Sequence, residues 1–270
     1  MTLDRVAREG LVLLGCGKMG TALLTGWLAA GVPPASVWVI EPDPTDWLTI
    51  SGVHLNTGVP ARPAVAVLAV KPQMMGAALP VLRALGNGGT LFLSIAAGTT
   101  IAAFEAALGA ATPIVRTMPN TPAMVGRGIT ALCGNQHVTA EDMALAHILM
   151  SAVGDVVQLT SEDQIDAVTA LSGSGPAYVF HLIEAMAQAG IAEGLPEAIA
   201  MQLARATVCG AGELAYRSAQ SAEQLRINVT SPGGTTAAAL TVLMDEKTGF
   251  PPLMKRAIKA AADRARELGQ

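Results

Sequence analysis

Leu11-Val-Leu-Leu-Gly15-Cys16-Gly17-Lys18-Met19-Gly20-Thr-Ala-Leu-Leu24 is the stretch that decides the fold. Four apolar residues in a row read as a strand buried on both faces. A G-x-G-x-x-G follows at once, inside a predicted helix start at Lys18 that runs to Ala30 and stops at Gly31 and Pro33. The glycine pattern alone is weak, but between a strand and a helix it has a mechanism. Gly15 permits the tight turn, Gly17 lets backbone approach a pyrophosphate, and Gly20 lets the helix pack on the strand. The helix start then offers free N–H groups to the anion. A turn without a ligand is the competing reading.

Outward from this unit, Val37–Ile40, Val65–Val70, Thr90–Ser94 and Ile114–Thr117 repeat the short apolar run between helical stretches. Such alternation predicts a doubly wound parallel sheet of the Rossmann type, which binds ligands at the carboxyl ends of its strands. Glu41 ends the second strand, where an acidic side chain takes ribose hydroxyls; a solvated loop acid before Pro42 is the alternative. Lys71-Pro72-Gln73 and Ile95-Ala96-Ala97-Gly98 follow two further strands, and the small residues of the second leave room for a nicotinamide. Lys71 reads equally as a cofactor contact, a catalytic amine or a solvated lysine. Met118-Pro119-Asn120-Thr121-Pro122 is a rigid loop carrying one amide. That amide suits a nicotinamide carboxamide or a structural turn.

Near Asp155 the pattern changes. Ser161-Glu-Asp-Gln164 is a capping box with Ser161 accepting from the third helical N–H, and helices follow to the end, one of them opened by Pro196. The predicted domains are 1–158, α/β, and 159–270, all-helical. Ser172-Gly-Ser-Gly-Pro176 places glycines in an apolar helical stretch at a cost of about 1 kcal/mol each, which close packing explains better than ligand approach. Val229-Thr-Ser-Pro-Gly-Gly-Thr-Thr236 is a Gly-rich loop entering a helix with four hydroxyls. Helix N–H groups and hydroxyls together hold a carboxylate or phosphate without a cation. Capping by Ser231 or Thr235 needs a single hydroxyl, so the density favours an anion site.

The bulk numbers exclude several classes. A net charge of −4 over 270 residues lacks the basic face that nucleic acid requires. Mean hydropathy is high at +0.45, yet Leu91–Phe104, the longest apolar stretch, is broken by Ser94, Gly98, Thr99 and Thr100, short of a membrane span. Cys16, Cys133 and Cys209 have no metal-ligand spacing and fit a reducing, cytoplasmic setting. His54, His137, His147 and His181 are scattered, so no metal site and no nucleophilic triad is expected.

Taken in order, the motifs at Gly15–Gly20, Val70–Gln73, Ser94–Gly98, Met118–Pro122, Leu171–Tyr178 and Val229–Thr236 resemble those of the pyrroline-5-carboxylate reductase family over nearly the whole chain. The resemblance implies a Rossmann domain, a helical domain interlocked with a partner subunit in a homodimer or an assembly of dimers, and reduction of 1-pyrroline-5-carboxylate to L-proline by NADH or NADPH. It implies that Ser231, Gly234, Thr235 and Thr236 hold the substrate carboxylate, with Thr236 near the ring nitrogen as the catalytic side chain. It places Gly15 to Gly20, with Cys16, Lys18 and Met19, along the cofactor with Asn56, Val70, Lys71, Pro72, Ala96 and Ala97; Glu41 and Asn120 join them from the strand-end reading. Two departures stand out. A glutamate that some members carry before the last motif is replaced by Ala219 or a neighbour, and Glu41 stands where small or basic residues usually serve a 2′-phosphate, which leans the chain to NADH.

Two rivals remain at this level. Another two-domain NAD(P)-dependent dehydrogenase or imine reductase acting on a small carboxylate would want a proton-moving Lys or His late in the chain, where His181, Lys247, Lys255 and Lys259 are the candidates. A non-enzymatic dinucleotide sensor would have no use for the second, hydroxyl-rich ligand loop.

Overall fold

Odd and even residues of the apolar strands point to opposite faces, and this alternation builds two cores. The computed structural model describes residues 2 to 269. After a first helix, α1 (Thr2–Glu9), come β1 (Leu11–Leu14), α2 (Lys18–Ala29), β2 (Val37–Ile40), α3 (Asp46–Thr49) and β3 (His54–Leu55). Then follow β4 (Val65–Leu68), α4 (Pro72–Ala78), β5 (Leu91–Ser94), α5 (Ile101–Leu108) and β6 (Ile114–Met118). β7 (Gly128–Gly134), α6 (Ala140–Ser151), β8 (Gly154–Gln158) and a short α7 (Ile165–Val168) complete the α/β part.

The eight strands lie in the order β3-β2-β1-β4-β5-β6-β7-β8, parallel except for the β6–β7 pair. The first six follow the dinucleotide-binding order, which reverses between β1 and β4. Leu11, Leu13, Val37, Val39, Val65 and Val67 face α2 and α6, where Trp27 is fully buried and its indole N–H donates to the Leu149 carbonyl at 2.8 Å. Val12, Leu14, Ala66, Leu68 and Phe92 face the other way, onto Met75, Leu82, Phe104 and Leu108. Burying one such side chain contributes about 1.5–3 kcal/mol.

Several ends differ from the sequence reading. β4 stops at Leu68 and not Val70, β5 starts at Leu91 and not Thr90, and α2 stops at Ala29. Ala69 and Val70 thus belong to the loop at the carboxyl end of β4, whereas Thr90 and Ala30 lie at the opposite side of the sheet, before β5 and after α2. β3, β7 and β8 were not expected. β3 has two residues, and β7 begins and ends with glycine, so neither carries a long apolar signal. The Ser161 box caps a three-residue 3-10 turn, with Ser161 Oγ accepting from Asp163 N–H at 3.3 Å.

The rest of the chain is helical, as predicted: α8 (Gly175–Ala192), α9 (Glu197–Arg217), α10 (Ala222–Asn228), α11 (Thr235–Leu243) and α12 (Phe250–Leu268). Pro196 is the N-cap of α9 and so precedes its first turn. One compact unit runs to Gly173 and resumes at Ala262; the other is Ser174–Ala261. This division falls after the predicted 158/159 boundary because the segment between is tied to the sheet. Ile165 and Ala170 are buried there, and Glu162 pairs with Arg116 of β6. Residues 169 to 173 form a π-helical turn, and a Cβ on Gly173 would lie 2.6 Å from Met118 Cε, so this glycine answers a packing demand.

Candidate active site

β1 ends in register with β2 and β4, Leu14 opposite Ile40 and Leu68, so the loops that leave them start side by side. Gly15 makes the first turn at φ +92°, and a Cβ there would lie 2.8 Å from Val70 Cγ1. At Gly20 a Cβ would lie 2.6 Å from the Gly15 carbonyl oxygen, which fits the helix-on-strand role. Gly17 has open space where a Cβ would go, and as N-cap of α2 it brings no side-chain cap. The first N–H groups of α2, at Lys18 and Met19, therefore face an uncovered cradle that fits a pyrophosphate. Cys16 lies inside this loop but is buried, and burial, reinforced by the Glu41 charge, pushes its thiol pKa up.

Glu41 is built into the adjoining corner. Its carboxylate accepts from Cys16 N–H at 2.7 Å and from Asp43 N–H at 3.0 Å. Its backbone is held twice by Asn56, which accepts from Glu41 N–H at 3.0 Å and donates to the Glu41 carbonyl at 2.8 Å. Asn56 does this from the left-handed region, φ 54°, which Asn tolerates better than most residues. Glu41 is thus no solvated loop acid; it is a fixed acceptor beside the Gly15–Gly20 turn. Asn56, reached in the sequence only by resemblance, is the residue that sets its backbone.

Across the strand reversal, Lys71 is the N-cap of α4 with Pro72 next to it, and its ammonium has no partner among the described residues. Val70 and Ala97 are partly exposed and Ala96 is buried, with Ala96 N–H donating to the Ser94 hydroxyl at 3.2 Å. Asn120 is buried at 8% exposure. Its oxygen accepts from Ile129 N–H at 3.0 Å and its nitrogen donates to the Ser172 carbonyl at 3.1 Å. The amide therefore ties its loop to β7 and to the π turn, and one of its hydrogens remains unused.

In the helical unit the 229–236 loop has its own geometry. Thr230 Oγ1 donates to the Arg226 carbonyl at 2.6 Å, and Gly234 N–H donates to the Ser231 carbonyl at 3.0 Å with Gly233 at φ +70°. The N-cap of α11 is Gly234, and no side chain caps it. The hydroxyls of Ser231, Thr235 and Thr236 have no partner among the described residues. Capping by Ser231 or Thr235 does not occur. What remains is an open helix N-terminus with three idle hydroxyls.

No group of three His, Cys, Asp or Glu suited to a metal occurs among the described residues, and there no helix is long and apolar enough to cross a membrane.

Comparison with known proteins bears on both units. Residues 162–268 match the family described as pyrroline-5-carboxylate reductase dimerisation, and residues 10–98 match that described as NADP oxidoreductase, coenzyme F420-dependent. A pyrroline-5-carboxylate reductase of Pseudomonas aeruginosa is 41% identical over 266 residues, covering 96% of this chain and 97% of that protein. Among solved structures, a pyrroline-5-carboxylate reductase from Coxiella burnetii matches with a TM-score of 0.90 at 37% identity, over 97% of this chain and 99% of that one. A Plasmodium falciparum pyrroline carboxylate reductase with NADP bound matches with a TM-score of 0.80 at 30% identity, over 97% and 98%.

Proposed function

The chain belongs to the pyrroline-5-carboxylate reductase family, and from that premise we propose that it reduces 1-pyrroline-5-carboxylate to L-proline, the last step of proline biosynthesis, with NADH or NADPH. The observation that carries the substrate side is the uncapped start of α11, where Ser231, Thr235 and Thr236 offer unused hydroxyls. Free N–H groups at Thr235 and Thr236 and these hydroxyls grip the substrate carboxylate without a cation. The cradle from Gly15 to Gly20 takes the pyrophosphate, Glu41 and Asn56 the adenine-ribose corner, and Val70, Lys71, Pro72, Ala96 and Ala97 the nicotinamide side. Asn120 contributes its one free amide hydrogen or acts only by holding its loop.

When bound, the dihydronicotinamide supplies the hydride. The substrate needs little else. Its C=N carbon accepts the hydride as the π pair moves to nitrogen, and nitrogen ends with one proton, brought by the iminium form or donated through the Thr236 hydroxyl. Orientation of two planar rings is the main task of the protein. The neutral Cys16 thiol takes no part.

Glu41 leads us to expect NADH used at least as well as NADPH. We also propose a homodimer or an assembly of dimers, joined through residues 174 to 261, where Phe180, Leu203, Leu214 and Val242 are 59, 52, 56 and 68% exposed. Three free cysteines fit a cytoplasmic setting. The test is direct: purified protein stripped of metal, given NADH or NADPH, should lose absorbance at 340 nm only when pyrroline-5-carboxylate is added. No such loss with either nucleotide refutes the assignment.

A further inference from the structure

The loop from Ile95 to Thr100, which the proposed function sets against the nicotinamide, does not hold its own shape. Ile95 N–H donates to the Leu68 carbonyl and Ala96 N–H to Ser94 Oγ, but Ala97, Gly98 and Thr99 make no hydrogen bond among the described residues. The loop is fixed from outside at two points. At its far end, Glu162 Oε1 accepts from Ile101 N–H, the first N–H of α5, at 2.9 Å, while Thr100 Oγ1 accepts from Ala103 N–H at 3.2 Å. Two of the donors a helix start leaves open are thereby satisfied, one by a residue 61 positions away. At its middle, Gly98 at φ +73° lies against the end of α12, where a Cβ would be 3.2 Å from the Leu268 carbonyl oxygen.

Glu162 is itself gripped. Its Oε1 accepts from Arg116 Nη1 at 2.6 Å, and Arg116 is 5% exposed with its Nε unpartnered. A guanidinium buried to that degree demands a compensating carboxylate, so Glu162 has one place to stand.

We infer that Glu162, held by Arg116, and the last turn of α12 form a two-point clamp that presets the nicotinamide loop. Both act as positioning elements, touching neither hydride nor imine. The inference rests on the proposed placement of this loop beside the nicotinamide. A loop ordered in advance binds without the cost of ordering it on binding, so loosening the clamp should weaken the nicotinamide end alone.

The experiment titrates the full-length protein and three variants with NADH and with ADP-ribose, which lacks the nicotinamide. Glu162→Gln and a chain ending at Ala265 should each bind NADH roughly three- to thirtyfold more weakly. Binding of ADP-ribose should stay within about twofold of wild type. Should Glu162→Gln fail to fold, the shortened chain carries the test. Equal weakening for both ligands would mean a general loss of structure and would overturn the clamp. The third variant, Ala97→Val, separates the premise from the inference. If it weakens NADH while both clamp variants leave it unchanged, the loop lies where proposed and the clamp is wrong. If Ala97→Val also has no effect, the loop does not face the nicotinamide, and the premise falls together with the clamp.

Discussion

Replacing Glu41 by serine should reverse the nucleotide preference. The carboxylate is pinned by Cys16 N–H at 2.7 Å and Asp43 N–H at 3.0 Å, and Asn56 locks the backbone beneath it. A 2′-phosphate entering this corner meets a negative charge that cannot swing aside without orphaning those two donors. Unit charges 4 Å apart repel by roughly 4 kcal/mol at an effective dielectric of about 20. Screening and side-chain relaxation reduce this to roughly half at ordinary salt, so about 2 kcal/mol. Serine removes that repulsion and also removes from NADH the hydrogen bonds of its ribose hydroxyls to a charged acceptor, about 1.5–3 kcal/mol. The lost partner of Cys16 N–H weakens both nucleotides alike and cancels from their ratio. Relief for NADPH and loss for NADH add in the ratio to about 3.5–5 kcal/mol, so kcat/KM for NADH over NADPH should fall by on the order of a thousandfold. Steady-state rates with both nucleotides at two salt concentrations measure this, and the wild-type preference should shrink at the higher salt. A wild type preferring NADPH tenfold or more, or a ratio unchanged by the substitution, would refute the reasoning.

Three further outcomes are expected. Thr236→Ala should lower kcat/KM for the imine about ten- to a hundredfold while NADH binding by fluorescence is unchanged; wild-type kinetics would reduce Thr236 to a mere helix-start residue. Leu203→Glu should break the assembly, so that light scattering at micromolar concentration reports a smaller species than wild type; a wild-type protein already monomeric there contradicts the interface. Burial, first of all, raises the thiol pKa of Cys16 and of Cys133, the latter helped by Glu162. Both thiols are therefore kept neutral by folding. Their contribution to stability is complete below the unfolded-state value of about 8.5 and declines as pH climbs from there through the folded-state values. Denaturation midpoints should fall over that range, and less steeply in Cys133→Ala; an unchanged slope would contradict the shift.

How much of this was legible follows from the range over which each signal acts. Leu11–Leu14 and Val37–Ile40 match the structure to the residue because four consecutive apolar side chains are a local signal, with both faces buried in the first and one face buried, the other half-buried, in the second. β7 escaped because its burial comes from pairing antiparallel with β6, a tertiary circumstance that Gly128 and Gly134 at its ends disguise as loop. The glycine cradle was legible for the same local reason as the strands: Gly15, Gly17 and Gly20 answer to contacts within the turn they make or with the strand beside it.

Polar residues that act at a distance gave weaker signals. Glu41 reads from the sequence as a strand-end acid, but only the fold shows it seated on Cys16 N–H and braced by Asn56, 15 residues on. Arg116 did leave a mark, a lone charge in the apolar run Ile114-Val-Arg-Thr117, and a buried arginine must have a carboxylate somewhere. Which of 21 acidic residues answers it cannot be read locally, since Glu162 is 46 positions away. Asn120 shows the opposite limit. Its two prolines made the loop rigid in prospect, but whether its amide served a ligand or the chain depended on Ile129 and Ser172. Both are reached through backbone atoms, whose identity no side chain reveals. A buried polar side chain in this fold is therefore a demand whose existence the sequence declares and whose partner only the packing supplies.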